Sequence, residues 1–439
     1  MSATYIEFRN QTVAPNTPPQ LVFGVAQHAD DQPDVYPWGL SSAADPIARF
    51  DAQTVDPASP SIFSQTGQSI FAELSKHPDF QQFYNGTLAA QVGNAERMVL
   101  IRCKTESAAH AFPWEALHDP EGFAAIKRRL AFARQVRPKE KRPEPVFDGT
   151  LRVVAVIGAA GENGDPEWLA LRSALAVWQG PINALVLVDS VALRDTVATA
   201  DFPGVSVDLV PGTADMLLRR IGHHLPHVVH IFCHGNPAGG GQLEIANLLT
   251  AAGEAPMVIG AGRLAPQLAS AWLVTLNACG SAGAAEPGTA SFACTLVEEG
   301  VPYAVGMRQR VSADVAHAFA GAFLRGALAE LADGWKDPAT TMGPNFGAAL
   351  TDAREEIVAH IGLTPANVEQ QKAWTLPIMC AAATPFRITK RLTADDAAVI
   401  RQAELTQLRA LLADPIAPPP IALRDQIEQR IAQLSAAGG

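Results

Sequence analysis

The sequence predicts an α/β protein whose main body is a mostly parallel sheet, flanked by helices in three α/β/α layers. A small α+β N-terminal part precedes it and a helical tail follows. Short apolar runs recur at 151–157 (LRVVAVI), 184–188 (ALVLV), 227–232 (HVVHIF), 271–276 (AWLVTL), 302–305 and 376–379, and helical stretches separate most of them. Strands that are apolar throughout, rather than alternating, are buried on both faces, as in a parallel sheet covered by helices. The chain is also 48% hydrophobic and 18% charged over 439 residues, which supplies a sizeable core and excludes wholesale disorder.

The elements follow in order. Residues 1–60 hold two strand-like runs, 5–8 and 21–25, among many Pro, Asp and Ser residues, and read as a small irregular element. Residues 61–145 read as an N-terminal subdomain: a helix over 67–74, a strand over 98–103 (MVLIRC) and a compact turn-like block, FPWEALHDP (112–120). Trp114 and Glu115 in that block read as structural. The subdomain ends in a run, 127–142, whose only acid is Glu140 and whose end, RPKEKRPEP, reads as a solvated linker. Its prolines break any basic helix face and no aromatics interleave, so no nucleic-acid partner is expected. Residues 146–390 carry the sheet domain.

In the tail, 391–439, Leu405, Leu408 and Leu412 share one helix face, and Leu423, Ile427, Ile431 and Leu434 share another. DPIAPPP (414–420) breaks the helix between them. The pair packs back on the body, docks an activating protein partner or forms a flexible tail.

The formal net charge of −11 excludes a globally basic nucleic-acid binder. Five cysteines argue against a disulfide scaffold and for a reducing compartment. No signal peptide opens the sequence, and no run of about 18 apolar residues lacks a charge or breaker. The expected location is therefore cytoplasmic, with no membrane contact.

Two strand ends carry the candidate chemistry. HVVHIFCHGNP stops at His234-Gly235, and AWLVTLNACGSAG stops at Cys279-Gly280-Ser281. In a parallel sheet both ends reach the same edge, so the pair can meet across 45 positions of sequence. A thiol is only a few per cent ionised at neutral pH, so a nucleophilic cysteine needs an adjacent imidazole. The glycines let backbone N–H groups approach a substrate carbonyl, and the N–H groups of Gly235 and Cys279 are the expected oxyanion hole. His230 is placed deeper, as a core or supporting residue. Cys233, Cys294, Cys103 and Cys380 read as buried filler. The five histidines 223, 224, 227, 230 and 234 lack an acidic or cysteine ligand at zinc spacing, so no metal is expected. GAAGENG (158–164) has the wrong glycine spacing for a dinucleotide loop, and no P-loop is present.

Read together, GQSIFAEL (67–74), FPWEALHDPEGF (112–123), LRVVAVIG (151–158), HVVHIFCHGNP, LVTLNACGSAG, the block 298–323, NFGAALTDARE (345–355) and AWTLPIMC (373–380) resemble the CHAT family of caspase-like proteins, in the caspase–separase–gingipain clan of cysteine peptidases. The resemblance covers about residues 60–390. It implies a caspase-like fold, Cys279 as nucleophile, His234 as its base, no cofactor, and a protein substrate. It also implies a role in bacterial defence or programmed death, in which a partner effector is cleaved.

One departure concerns GMRQRV, where Arg308 and Arg310 stand in place of an aromatic or small residue near the sheet edge. If they face the cleft, an acidic P1 residue is favoured. Asp314 reads as a first-turn acid of the next helix, with a pocket role as the alternative. The competing reading of the whole chain is a silent caspase-like adaptor that acts by binding.

Overall fold

The computed structural model describes residues 4–11, 20–26, 34–40, 60–84, 97–103, 108–236, 241–283, 290–337, 339–384 and 386–391, with parts of 402–412 and 421–436. On the first expected face Leu405 is buried and Leu408 and Leu412 are half-buried, while the side chains of Leu423 and Leu434 lie outside the description. The described residues group in two compact units.

The first unit, Met1–Pro143, Thr150–Ala332 and Pro344–Phe386, is built on a 12-stranded sheet. Its strands, in chain order, are β1 (Thr4–Gln11), β2 (Gln20–Ala26), β3 (Tyr36–Pro37), β4 (Arg97–Arg102), β5 (Leu130–Val136), β6 (Leu151–Ile157), β7 (Ile182–Val188) and β8 (Val205–Leu209). A ninth, β9, spans Val228–Phe232. Between it and the next sheet strand lie three short strands, β10 (His234–Asn236), β11 (Gln242–Ile245) and β12 (Met257–Gly260), which form a separate sheet. The large sheet resumes with β13 (Leu273–Asn277), β14 (Tyr303–Met307) and β15 (Pro377–Ala382). The spatial order is β8-β7-β6-β9-β13-β14-β15-β5-β4-β1-β2-β3. Pairing is parallel except for β14 with β15, β1 with β2 and β2 with β3. The sheet and its crossover helices form the expected α/β arrangement.

The expected strands are present because each is an apolar run whose residues are buried: β9, β13 and β14 are buried throughout. The helices that matter below are α1 (Pro60–Leu74), α2 (Asp165–Leu175), α3 (Val191–Thr199), α4 (Ala214–His224), α5 (Phe292–Glu298), α6 (Ala313–Lys336) and α7 (Gly347–His360). Ser190, Thr213 and Ser291 cap α3, α4 and α5, each accepting from the N3 backbone N–H. By length and composition α6 is apolar enough to cross a membrane. Twelve of its residues, among them Phe319, Phe323, Leu328 and Leu331, are buried against the protein instead.

Three expectations need correction. The sheet does not begin at residue 146: β1 to β5 belong to it, and β1, β2 and β3 come from the described residues before 60. The run 127–142 is a linker only at its end: β5 takes up its first part and is buried at every position, while 137–142 is mostly exposed and lies outside any strand or helix. Its charge misleads, since Arg134, 1% exposed, is neutralised in the interior by Glu115. Finally, Cys294 and Cys380 are joined in a disulfide rather than free filler. Packing of α5 on β15 brings their Cα atoms to 5.4 Å, a proximity that a separation of 86 positions does not reveal. The cysteine count therefore gives no argument for a reducing compartment.

The second unit comprises Glu144–Gly149, Asp333–Gly343 and Arg387–Gly439. Its small sheet joins Val146–Phe147, Ile388–Lys390 and Thr341–Met342. Phe147 packs edge-on against Trp335 at 4.8 Å. The Lys390 ammonium donates to the carbonyls of Gly334 (3.0 Å), Trp335 (3.3 Å) and Asp337, satisfying the orphan acceptors at the end of α6. A further helix, α8 (Ile421–Ala436), confirms the helical tail, and Ile427 in it is 7% exposed.

Candidate active site

Parallel pairing sets the site. Phe232 stands opposite Asn277 in the β9–β13 register, and each strand runs two residues further to His234 and to Cys279. The two backbones then touch. A Cβ placed on Gly235 would lie 1.8 Å from the Cys279 carbonyl oxygen and 3.2 Å from its nitrogen. Only glycine permits this approach. Cys279 is followed by Gly280 at φ +69°, which turns the chain. The turn is pinned by Ser281, whose hydroxyl accepts from the Met307 N–H (3.0 Å) and donates to the Leu276 carbonyl (3.3 Å). The Ala282 N–H donates to the Met307 carbonyl at 2.9 Å.

Gly235→Ala is expected to lower turnover about 100-fold, the cost of displacing reacting groups by about an ångström. Gly262→Ala, where the added methyl meets open space, is the control. Equal turnover in the two variants would refute the close approach.

The side chains of the pair bond elsewhere. His234 Nε2 lies 2.7 Å from the Ala160 carbonyl oxygen. A carbonyl only accepts, so Nε2 carries the proton and Nδ1 holds the free lone pair. Ala160 lies in the 158–164 loop, so this glycine-containing segment orients the imidazole. The half-buried Cys279 Sγ is 3.8 Å from the Val311 carbonyl. That contact places Val311 beside Cys279. Arg308 is half-buried, while Arg310 and Asp314 are exposed. Asp314 lies in the first turn of α6, as expected. Glu244 faces His234 across the β10–β11 pair and accepts from Asn236 Nδ2 at 2.8 Å. Burial pushes the Cys103 and Cys233 thiols well above the ordinary range; for Cys233 the nearby Cys279 adds to the rise. Both stay protonated at neutral pH, in keeping with filler roles.

Beneath the pair lies a buried polar cluster. Glu167, fully buried on α2, accepts from His230 Nε2 (2.6 Å) and Asn277 Nδ2 (2.8 Å) on one oxygen. Its other oxygen accepts from His317 Nδ1 at 2.5 Å. His230 Nδ1 is 2.6 Å from the Thr275 hydroxyl. Burial alone raises the Glu167 carboxyl, but the hydrogen bonds and charges of His230 and His317 outweigh it and hold the group at about 2. The ordinary value is 4.5, so the folded state binds this proton less tightly than the unfolded chain. The resulting stability is present above the ordinary value and lost as pH falls through about 2. An acid titration followed by circular dichroism is expected to show this loss in the wild type and a smaller one in Glu167→Gln. His230 was expected to be a supporting residue; Glu167 and Ala160 had no sequence signal that set them apart.

A cavity of about 290 Å³ opens beside the 158–164 loop, lined by Glu162, Asn163, Asp165, Asp189, Ser190 and Asn247 among others. It is distinct from the Cys279 turn but shares Ala160 with the site.

The family model described as the CHAT domain matches residues 80–359, more than half of the chain. No curated protein matches. Two crystal structures of the Saccharomyces cerevisiae separase–securin complex align with it at 13% and 11% identity, with TM-scores of 0.36 and 0.34. Each alignment covers 72% of this chain but 17% of the neighbour's, so the chain spans a small part of the proteins it aligns with. With the family match extending from residue 80, ahead of β4, to residue 359 in the last turn of α7, and with both strand ends of the site inside it, the chain belongs to the CHAT domain family.

Proposed function

We propose that the protein is a cysteine endopeptidase that uses Cys279 and His234 on a protein substrate. The observation that carries the reading is the contact between the Gly235 and Cys279 backbones, which brings a half-buried thiol and an oriented imidazole to one sheet edge. His234 Nδ1 takes the thiol proton, and the thiolate attacks the scissile carbonyl. The Cys279 N–H, which has no acceptor among the described residues, and the Gly235 N–H hold the oxyanion. The imidazolium then gives its proton to the leaving amine, and the peptide bond breaks to leave a thioester. Water, deprotonated by the same nitrogen, hydrolyses it and restores the thiol. Arg308 and Arg310 precede Val311, whose carbonyl lies against Cys279 Sγ, and with these arginines facing the cleft an acidic P1 side chain is favoured. The substrate is a protein partner, in keeping with a defence or programmed-death role.

A panel of peptidyl acyloxymethyl ketones differing only at P1 tests the reading. Covalent labelling mapped to Cys279, fastest with Asp or Glu at P1, is the expected result. Labelling confined to Cys103 or Cys233 would contradict the assignment of the nucleophile. Faster labelling with Lys or Arg at P1 would contradict the role of the arginines.

A further inference from the structure

We infer that Glu167 is a positioning residue for both members of the dyad, acting as the common anchor of the four segments that reach them. The inference rests on the endopeptidase reading and names what holds that site in register.

The four segments are distinct in sequence. The first is the 158–164 loop, whose Ala160 carbonyl orients His234; it leads directly into α2, where Glu167 sits. The second is the end of β9. His230 on this strand is four residues before His234 and donates to Glu167. The third is the end of β13. Asn277 is two residues before Cys279 and donates to the same carboxylate oxygen. The fourth is the 308–312 segment, whose Val311 carbonyl lies against Cys279 Sγ; it leads into α6, where His317 donates to the other oxygen. Asn277 Nδ2 also donates to the Ala316 carbonyl at 3.0 Å, so the third and fourth segments are tied twice. These four routes into the dyad thus converge on one fully buried side chain.

The chemistry of the anchor is specific. A carboxylate is acceptor-only, with about four lone-pair sites, so it takes three donors without conflict. Glutamine presents a donor in place of one oxygen and meets a donor at one of these positions. Burying a charge costs several kcal/mol, and well-packed apolar residues often replace buried ion pairs with no loss of stability. Core packing alone therefore does not account for Glu167 at this position. Registration of four chain segments to within a fraction of an ångström does.

The test compares wild type, Glu167→Gln and His317→Gln as full chains, with Cys279→Ala as the blank. The primary readout is the rate of Cys279 alkylation by iodoacetamide against pH, located by peptide mass mapping, with thermal melting in parallel. Glu244, which faces His234 from β11, is untouched in every variant. In the wild type Cys279 is expected to be alkylated faster at neutral pH than a free cysteine. In Glu167→Gln alkylation of Cys279 at neutral pH is expected to be at least 10-fold slower. His317 is 11% exposed, at the rim of the cluster, and its variant keeps the fold if Glu167→Gln does not. The same change in smaller measure is expected there. On a cleaved substrate the loss is expected in kcat rather than KM, about 100-fold for Glu167→Gln. A folded variant that matches the wild-type alkylation profile and kcat overturns the inference while the dyad stands. A wild-type Cys279 that reacts no faster than a free cysteine overturns the endopeptidase reading and this inference with it.

Discussion

Cys279→Ala is expected to abolish cleavage of the protein substrate, with kcat lower by four orders of magnitude or more. The thiol has no substitute at this edge. The other free cysteines of the described chain, Cys103 and Cys233, are held protonated by burial, and Cys294 is tied to Cys380. His234→Ala is expected to cost nearly as much, because the nucleophile loses its base and the leaving amine loses its proton donor. The double variant is expected to be no worse than the worse single one, since the two groups act as a unit. Residual turnover in both comes from the backbone oxyanion donors and substrate binding. Product formation followed by mass spectrometry on purified variants provides the measurement. Full activity in Cys279→Ala, or additive losses in the double variant, would falsify the dyad.

The second large effect concerns stability. Glu115 is fully buried with two guanidiniums beside it. Arg134 pairs with it in a fork, one bond of which is 2.9 Å, and also donates to the Phe112 carbonyl at 2.9 Å. Arg354 lies 3.7 Å from the same carboxylate and donates to the Pro377 carbonyl at 3.0 Å. Burial pushes Arg354 down to about 10, the Glu115 charge raises it and Arg134 lowers it further.

Removing the carboxylate leaves two cations in the interior with no counter-charge. Glu115→Ala is therefore expected to destabilise the protein by about 3–5 kcal/mol, seen as a melting temperature several degrees lower. Arg129, half exposed and paired with Asp352 and Glu355, is the contrast: its loss is expected to change stability by about 1 kcal/mol or less. Similar melting temperatures for the two variants would show that the buried cluster is not the strong link between the FPWE block, β5 and α7.

Much of the sheet could be read along the chain because burial on both faces leaves a contiguous mark. LRVVAVI, HVVHIF and AWLVTL each stand out as a mostly apolar run of six or seven residues. β8 (VSVDL) does not, since an edge strand has only one neighbour and keeps Ser206 and Asp208. β5 (LAFARQV) was masked by the basic residues around it. Its arginine is a core residue only because Glu115, 19 positions earlier, reaches it. The antiparallel entry of β15 between β14 and β5 has no local signature, because direction is a property of the connection and not of the strand.

The same division runs through the site. His234 and Cys279 were legible by themselves: each is a chemically distinctive residue at the end of an apolar run and is followed by glycine. What orients them was not. The Ala160 acceptor is a backbone carbonyl, which every residue possesses, so no residue type announces it. Glu167 follows Asp165 in the first turn of a helix and looks like an ordinary N-terminal acid. Its three donors come from positions 230, 277 and 317, which only the parallel crossing of β9 and β13 and the packing of α6 bring together. The sequence by itself determined which strands are buried, where they end and that a thiol and an imidazole stand at those ends, because these follow from local pattern and residue type. Tertiary structure alone decided the pairing order, the Cys294–Cys380 bond and the buried anchor, because each depends on contacts across tens of residues that no local pattern encodes.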